Sequence, residues 1–373
     1  VLRYLAQQHQ VTLVSFVRAE DRPEFVEHLR SFCTAVHTVP MVRSRLHDAA
    51  ALPTALWQRE PLVIARDRVP AMYSLLRQLI AGTPFDAVHA DQTSMVQYAL
   101  WSADQLMDLY NRKILRILDA HNALYLVVQR MARQARRPLW RRFLTWEAQR
   151  LERYERATYC HFDRVVFVTP EDRARLQLEH AVVIPICADP AATPPIVRSP
   201  GAMDVTFVGA LHWPPNAQGI AWFAREAWSD VLAAVPQTQL TIIGKAPPPE
   251  VIALAQALPN IRVVGYVDDL QPYLAETGVF LVPLLAGGGM RVKIVDAWTW
   301  QLPIVATTIG AEGIRYEHGG NLLIADRPAD LAQAVIRLLR DPSLADRLAA
   351  AGRRTAERAY SWQTVYEAWN TVY

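Results

Sequence analysis

Short, near-continuous apolar runs alternate along this chain with longer stretches whose apolar residues recur every three or four positions. The runs at 11–17, 86–90, 113–118, 163–169 and 182–185 predict strands, and 72–81 predicts a helix inside an otherwise mixed region reaching to about Pro84. A long helical stretch is expected over 125–160, interrupted near Pro138, and Pro170, Glu171 and Asp172 open another helix as proline and acids should. Residues 188–201 are rich in proline with little to bury, which suits an interdomain hinge. The alternation then restarts. Strands are expected at 204–209, 240–244, 261–265, 279–284, 303–306 and 322–325, with helices at 216–235, between 244 and 261, and at 292–298, 328–339, 345–359 and 362–373. Apolar strands interleaved with helices mean parallel sheets covered on both faces, here two sheets, one on either side of the hinge. Ligands of such sheets bind beyond the carboxyl ends of the strands, so the expected cleft lies between them.

Composition changes this picture little. A 373-residue chain exceeds one comfortable core, and 51% hydrophobic with 20% charged residues is ordinary for a globular protein. The net charge of +3 is too small to imply nucleic acid. Cys33, Cys160 and Cys187 have no metal-ligand spacing and read as reduced, buried thiols of a cytoplasmic protein. No apolar run approaches the roughly 18 residues needed to span a bilayer. The chain opens at Val1 in what reads as mid-helix, so the expectation is that its true N-terminus has been cut away.

The chemistry concentrates where the run ending at Leu285 meets Gly287, Gly288 and Gly289, followed by Arg291 and Lys293 at a helix start. Glycines let a backbone approach an anion, and the first helical turn offers unpaired N–H groups and a positive dipole end. Two cations at a helix N-terminus are electrostatically disfavoured unless an anion sits opposite. The reading is a diphosphate cradle; the bland alternative is a tight strand-to-helix connection.

The segment from Val279 through Ala297, continuing from Leu302 to Gly313, resembles the C-terminal domain of GT-B glycosyltransferases, and within them is most similar to the retaining glycosyltransferase family 4. Phe207–Val208–Gly209 with Pro215–Asn216, Gly265–Tyr266–Val267–Asp268–Asp269 and Tyr360–Ser361–Trp362 fit the same pattern; Asp119–Ala120–His121–Asn122 and Tyr154–Glu155 fit it more loosely. The resemblance implies an α/β fold of two Rossmann-like domains facing across a cleft. Residues 1–190 would bind the acceptor, with the first strand and its glycine-rich loop missing. Residues 203–359 would bind a nucleotide-sugar, and 360–373 would cross back as a helix. It implies a hexosyltransferase that moves a sugar, with retention, from a nucleotide-diphosphate donor to a hydroxyl of a lipid-linked or saccharide acceptor in polysaccharide or glycolipid synthesis. Neither metal nor cofactor is implied, the nucleotide sugar being a co-substrate.

The resemblance assigns His121, Arg291 and Lys293 to catalysis, and Gly287, Gly288, Gly289, Asp296, Val267, His212 and Glu312 to the donor. The sequence departs from the pattern twice. Many members carry two glutamates eight positions apart; here the second is Asp296, able to accept from ribose hydroxyls, and the first is Gly288. The basic pair usual after the first C-domain strand is absent, Gly209 being followed by Ala210, Leu211, His212 and Trp213. His212 either substitutes partly at the diphosphate or packs as a neutral imidazole near Trp213. Glu312 either reaches the donor or caps a turn. Of two rivals, a sugar-nucleotide epimerase or hydrolase needs carboxylates around the anomeric centre, and Gly288 argues against it; Gly288 and the missing basic pair keep open the other, a non-catalytic partner subunit. Asn122 and His89 are placed on the acceptor side, with solvation as the simpler account of His89. Finally, Arg130, Arg133, Arg136, Arg137, Arg141 and Arg142 accompany Leu139, Trp140, Phe143 and Trp146. That pattern suits either peripheral attachment to the anionic inner face of a membrane or solvated arginines around a buried aromatic stripe, and no nucleic-acid motif accompanies it.

Overall fold

The computed structural model describes residues 1–373 apart from 20, 43 and 136, and for 45–49 the backbone alone. Arg136 of the arginine-rich stretch therefore lies outside the described residues. Twelve strands are described: β1 (Thr12–Val17), β2 (Ala35–Pro40), β3 (Ala87–Asp91), β4 (Leu115–Asp119), β5 (Arg164–Phe167), β6 (Ala181–Val183), β7 (Asp204–Val208), β8 (Leu240–Ile243), β9 (Ile261–Gly265), β10 (Thr277–Val282), β11 (Ile304–Ala306) and β12 (Leu323–Ile324). Every pairing between them is parallel.

After the proline-rich stretch the strands form one sheet of order β12-β11-β10-β7-β8-β9. Its central strand β10 is buried at every position, as a strand covered on both faces must be. One face packs Phe207, Phe223, Trp228 and Val335, the other Trp298, Ile304 and Tyr360. Before that stretch the expectation of a single sheet fails. β1 and β2 pair only with each other, and β3-β4-β5-β6 make a separate four-stranded sheet. β2 itself lies in the region read as mixed, because Ala35–Pro40 carries only a weak apolar pattern, Ala-Val-His-Thr-Val-Pro.

Other boundaries move for local reasons. The helix expected over 216–235 breaks at Ala227 into Pro214–Glu226 and Trp228–Ala234, and Pro138 does interrupt the long helix, giving Leu124–Gln134 and Pro138–Tyr159. The last segment is helical only over Trp362–Val365 and continues as a 3-10 helix over Tyr366–Thr371. Its Val365, Trp369 and Val372 pack with Leu5, Ile117, Val166 and Ile184, on the first half of the chain. The proline-rich stretch is ordered against the second sheet's side: Arg353 donates to the Pro190 and Thr193 carbonyls, and Ile196 N–H to Trp300 O. The three cysteines are free, but only Cys33 is buried; Cys160 is exposed and Cys187 half-buried, which corrects the reading of all three as core thiols.

Candidate active site

The site starts from β10. Its run Val279–Phe280–Leu281–Val282 is buried at the centre of its sheet, so its carboxyl end delivers Gly287–Gly289 to the sheet's rim, and helix Val292–Thr299 leaves from there. Trp298 anchors that helix. Its indole donates to Asn321 O at 3.1 Å, and Gly352 of the neighbouring helix has no room for a Cβ against the indole ring.

From the other half, β4 ends at Asp119 and the chain turns through His121, which holds φ +55, a rare conformation for a residue with a Cβ. The two turns meet. A Cβ on Gly289, itself at φ +68, would lie 2.5 Å from His121 O and 3.0 Å from Asn122 Cβ; one on Gly288 would lie 2.8 Å from Val127 Cγ2. The glycines are therefore required by close approach of the opposite lobe. His121 and Asn122 are brought onto the glycine turn.

The turn is also tied across the cleft by polar contacts that the sequence did not reveal. Arg130 forms a two-pronged ion pair with both Glu312 oxygens and donates to Gly287 O at 2.6 Å. Asp172 accepts from Gly289 N–H at 3.1 Å. Burial alone would raise the Glu312 carboxyl, but the Arg130 guanidinium outweighs it and holds it below its ordinary value. Burial raises Asp172. Arg130→Ala leaves Glu312 and Gly287 O without these donors and is expected to cost about 1.5–3 kcal/mol, the usual range for hydrogen bonds to charged groups; urea denaturation reads it as a lower midpoint with unchanged slope.

These contacts redistribute the expected roles. The Gly289 amide, expected to await a phosphate, is engaged by a carboxylate here. Arg291 is 6% exposed and folds back on its own turn, donating to the carbonyls of Gly288 (2.6 Å), Gly289 (3.1 Å) and Ile309 (3.1 Å). Burial lowers its pKa to about 10, and Glu312 at 3.7 Å offsets part of that. Arg291 organises the turn through Nε and Nη1, while its Nη2 is buried without a hydrogen-bond partner.

Lys293 is placed differently. Its Nζ lies 4.4 Å above the centre of the Phe207 ring and donates to Asn216 Oδ1 at 2.9 Å. It crowds Gly209, where a Cβ would come within 2.6 Å of Nζ. Gly209 directly follows β7, the neighbour of β10, so Lys293 stands at the carboxyl ends of two central strands. Burial, then repulsion from Arg291, lowers its pKa to about 7, while Asp296 on the same helix is raised by burial to about 6. Phe207, Gly209 and Asn216 belong to segments quoted from the sequence, yet only the fold shows that they surround this amine.

His212 is exposed on the loop after β7, and Val267 is half-buried on the loop after β9. His89 does not approach the glycine turn: Nδ1 meets Tyr373 OH at 2.6 Å, the ring stacks on Trp369, and burial lowers its pKa to about 4. His121 Nε2 lies 2.6 Å from Asp91 Oδ1 and 3.5 Å from Asp119 Oδ2. Burial works against its charge, but Asp91 prevails and raises it; burial raises Asp119 to about 6. These three residues offer ligand atoms within 4.8 Å of one another, the one such group among the described residues.

Arg130 also leaves the basic stretch to which the sequence assigned it, since it turns inward to Glu312. Arg133, Arg137, Arg141 and Arg142 remain exposed, beside Leu139 (78% exposed) and Trp140 (50%), the latter stacked on Phe143 at 5.2 Å. No described helix is long and apolar enough to cross a membrane.

Comparison with known proteins agrees with this architecture. Residues 202–341 match the family model of group 1 glycosyl transferases. A Klebsiella pneumoniae protein described as an uncharacterized 44.6 kDa protein in the cps region is 31% identical over 140 residues, 36% of each chain. A phosphatidyl-myo-inositol mannosyltransferase of Mycobacterium leprae is 30% identical over 166 residues, 43% of each. The matches thus span less than half the length of these relatives. The structure of sucrose-phosphate synthase from Thermosynechococcus elongatus superposes with a TM-score of 0.70 at 18% identity, covering 100% of this chain and 90% of that one. The shared fold is GT-B.

Proposed function

On a GT-B chain whose residues 202–341 belong to the group 1 glycosyl transferases, we propose a retaining, metal-independent hexosyltransferase that moves a sugar from a nucleotide diphosphate to a hydroxyl of a lipid-linked or saccharide acceptor. The observation that carries this reading is the buried Lys293 amine at the carboxyl ends of β7 and β10, beside the first turn of helix Val292–Thr299. When the bond from the anomeric carbon to the phosphate oxygen breaks, its electron pair stays on the phosphate. A cation and a helix N-terminus fixed beside that oxygen stabilise the growing charge in a site with little water. The acceptor oxygen bonds to the anomeric carbon, and its proton passes to the departing phosphate oxygen. Asp296 is suited to accept from ribose hydroxyls, Val267 to offer backbone groups to the base, and His121, Asn122, His212 and Glu312 to border the sugar and diphosphate. Turnover that persists in EDTA tests the metal-independent part.

Lys293 gives the reading a pH signature. An anion prefers the protonated amine, whose pKa in the free protein is about 7. Above that pH, binding takes up a proton, so nucleotide-sugar affinity should weaken as pH rises from 7 to 8.5, at most about tenfold per unit. Titration calorimetry in buffers of different ionisation enthalpy reads the uptake directly; pH-independent binding without proton exchange speaks against the assignment.

The same proposal extends to the acceptor's location. The exposed Leu139 and Trp140, ringed by Arg133, Arg137, Arg141 and Arg142, suit an anionic lipid surface. Leu139→Ser with Trp140→Ser should reduce co-sedimentation with phosphatidylglycerol vesicles by roughly tenfold or more, given the apolar area removed, and leave binding to neutral vesicles as weak as before.

A further inference from the structure

Building on the transferase reading, we infer that Glu155 is a positioning residue for the transfer: it fixes the helix that presses His121 and Asn122 onto the glycine turn.

That helix, Leu124–Gln134, begins directly after the His121 turn. Its side of the seam meets Gly287–Gly289 in reverse order. Arg130 donates to Gly287 O, Val127 and Ala123 O face Gly288, and His121 and Asn122 face Gly289. The spacing of Ala123, Val127 and Arg130 puts them on one helix face. A rotation or slide of this helix therefore displaces the whole seam. Its far end is held by the Arg130–Glu312 pair. Its near end has no cap of its own, because the N-cap residue is Ala123, whose side chain carries no acceptor.

Glu155 supplies the acceptor from the following helix. Its Oε1 accepts from Tyr125 N–H at 3.3 Å, and the Leu124 amide bonds to the same carboxyl. Amides of a first helical turn have no partner within their own helix. The Glu155 side chain is 0% exposed and continues the buried stripe Leu151, Glu155, Tyr159 of Pro138–Tyr159. Its Oε2 is buried without a hydrogen-bond partner. Burial outweighs the two amides and raises the carboxyl well above the ordinary carboxylate range, and Asp172 adds to the rise. Burying an acid in an apolar stripe costs stability unless its atoms find hydrogen bonds, and the bonds this one finds are the helix amides. Glu147, roughly two turns earlier, is a matched case on the same helix. It accepts from Val63 N–H at 3.2 Å, at the start of Leu62–Arg66, and likewise leaves Oε2 without a partner.

The test compares Glu155→Met, Glu155→Gln and Glu147→Met in the full chain, with rates taken per folded molecule. Methionine removes the acceptor and keeps the bulk, whereas glutamine retains an acceptor oxygen and a donor, as a neutral acid does. Glu155→Met is expected to lower kcat roughly ten- to hundredfold, the cost of a small misplacement of the reacting groups. Affinity for a nucleoside diphosphate should change by no more than about twofold, because Lys293 and its helix stand on the other lobe. Hydrogen exchange over 121–127, which needs no donor, should quicken by about tenfold or more. Glu155→Gln should keep kcat near the wild-type value, and Glu147→Met, which removes the same kind of cap from a different helix, should leave it unchanged. Should Glu155→Met fail to fold, Glu155→Asp, one methylene short of the amides, is read in its place. Undiminished kcat in the cap-less variant, equal loss in Glu155→Gln, or equal loss in Glu147→Met overturns the assignment and leaves the transferase reading standing. A wild-type chain without turnover on any nucleotide sugar overturns that reading, and the assignment with it.

Discussion

Lys293→Met is expected to lower kcat for nucleotide-sugar turnover by about two to three orders of magnitude, the usual cost of removing one preorganised donor to a developing oxyanion. The expectation rests on position. Among the two cations that follow the glycine turn, Arg291 donates to three carbonyls through Nε and Nη1 and faces the Glu312 carboxylate at 3.7 Å with Nη2, while Lys293 has no carboxylate partner among the described residues and engages Asn216 with one of its three donors. Methionine keeps most of the packing against Phe207 and removes the buried amine, so thermal stability should be unchanged or higher while the rate falls. That split separates chemistry from folding. A variant that loses both equally would place Lys293 among the structural residues, and a chain with no rate to lose would favour the non-catalytic partner subunit. Lys293→Arg is not a rescue, because the head group already crowds Gly209.

Gly289→Val should be the most disruptive single change at the interface between the lobes. Any Cβ there meets the His121 carbonyl at 2.5 Å, which is backbone and cannot swing away, and φ +68 is costly for a β-branched residue. Backbone strain and overpacking are each worth roughly 1–3 kcal/mol, and the turn relieves them only by withdrawing from 121–122. Withdrawal breaks the Asp172 bond to Gly289 N–H and strains the Arg130–Glu312 pair. The measurable result is a lower denaturation midpoint together with a loss of donor turnover larger than the loss of folded protein. Gly288→Glu, which would restore the carboxylate many resembling sequences carry, should not gain activity, since its Cβ would press on Val127 Cγ2 at 2.8 Å.

Much of the architecture was legible because buried parallel strands announce themselves. β7, β8, β10 and β11 are rich in Val, Ile, Leu and Phe and almost wholly buried, and their carboxyl ends point to one rim. β2 was not legible, since a histidine, a threonine and a proline dilute its pattern. The division of the first half into two sheets was equally hidden, because an unpaired edge leaves no mark on composition. At the site, the glycines and the cations were visible as residue types, but the partition of labour between Arg291 and Lys293 was not. It depends on which side of one helical turn each side chain leaves. Arg130 and Asp172 were invisible as interface residues for a related reason. Each sits more than a hundred positions from its partner, Arg130 inside an arginine-rich stretch and Asp172 in an ordinary helix start.

Thermal shift of the wild-type chain and of Lys293→Met against a panel of nucleoside diphosphates reads out whether the buried amine holds the donor's diphosphate. Selective stabilisation of the wild type by one base is expected, worth about 2.7 kcal/mol at a hundredfold excess over Kd, with most of it absent in the variant. Equal stabilisation of both proteins, or of neither by any diphosphate, would contradict it.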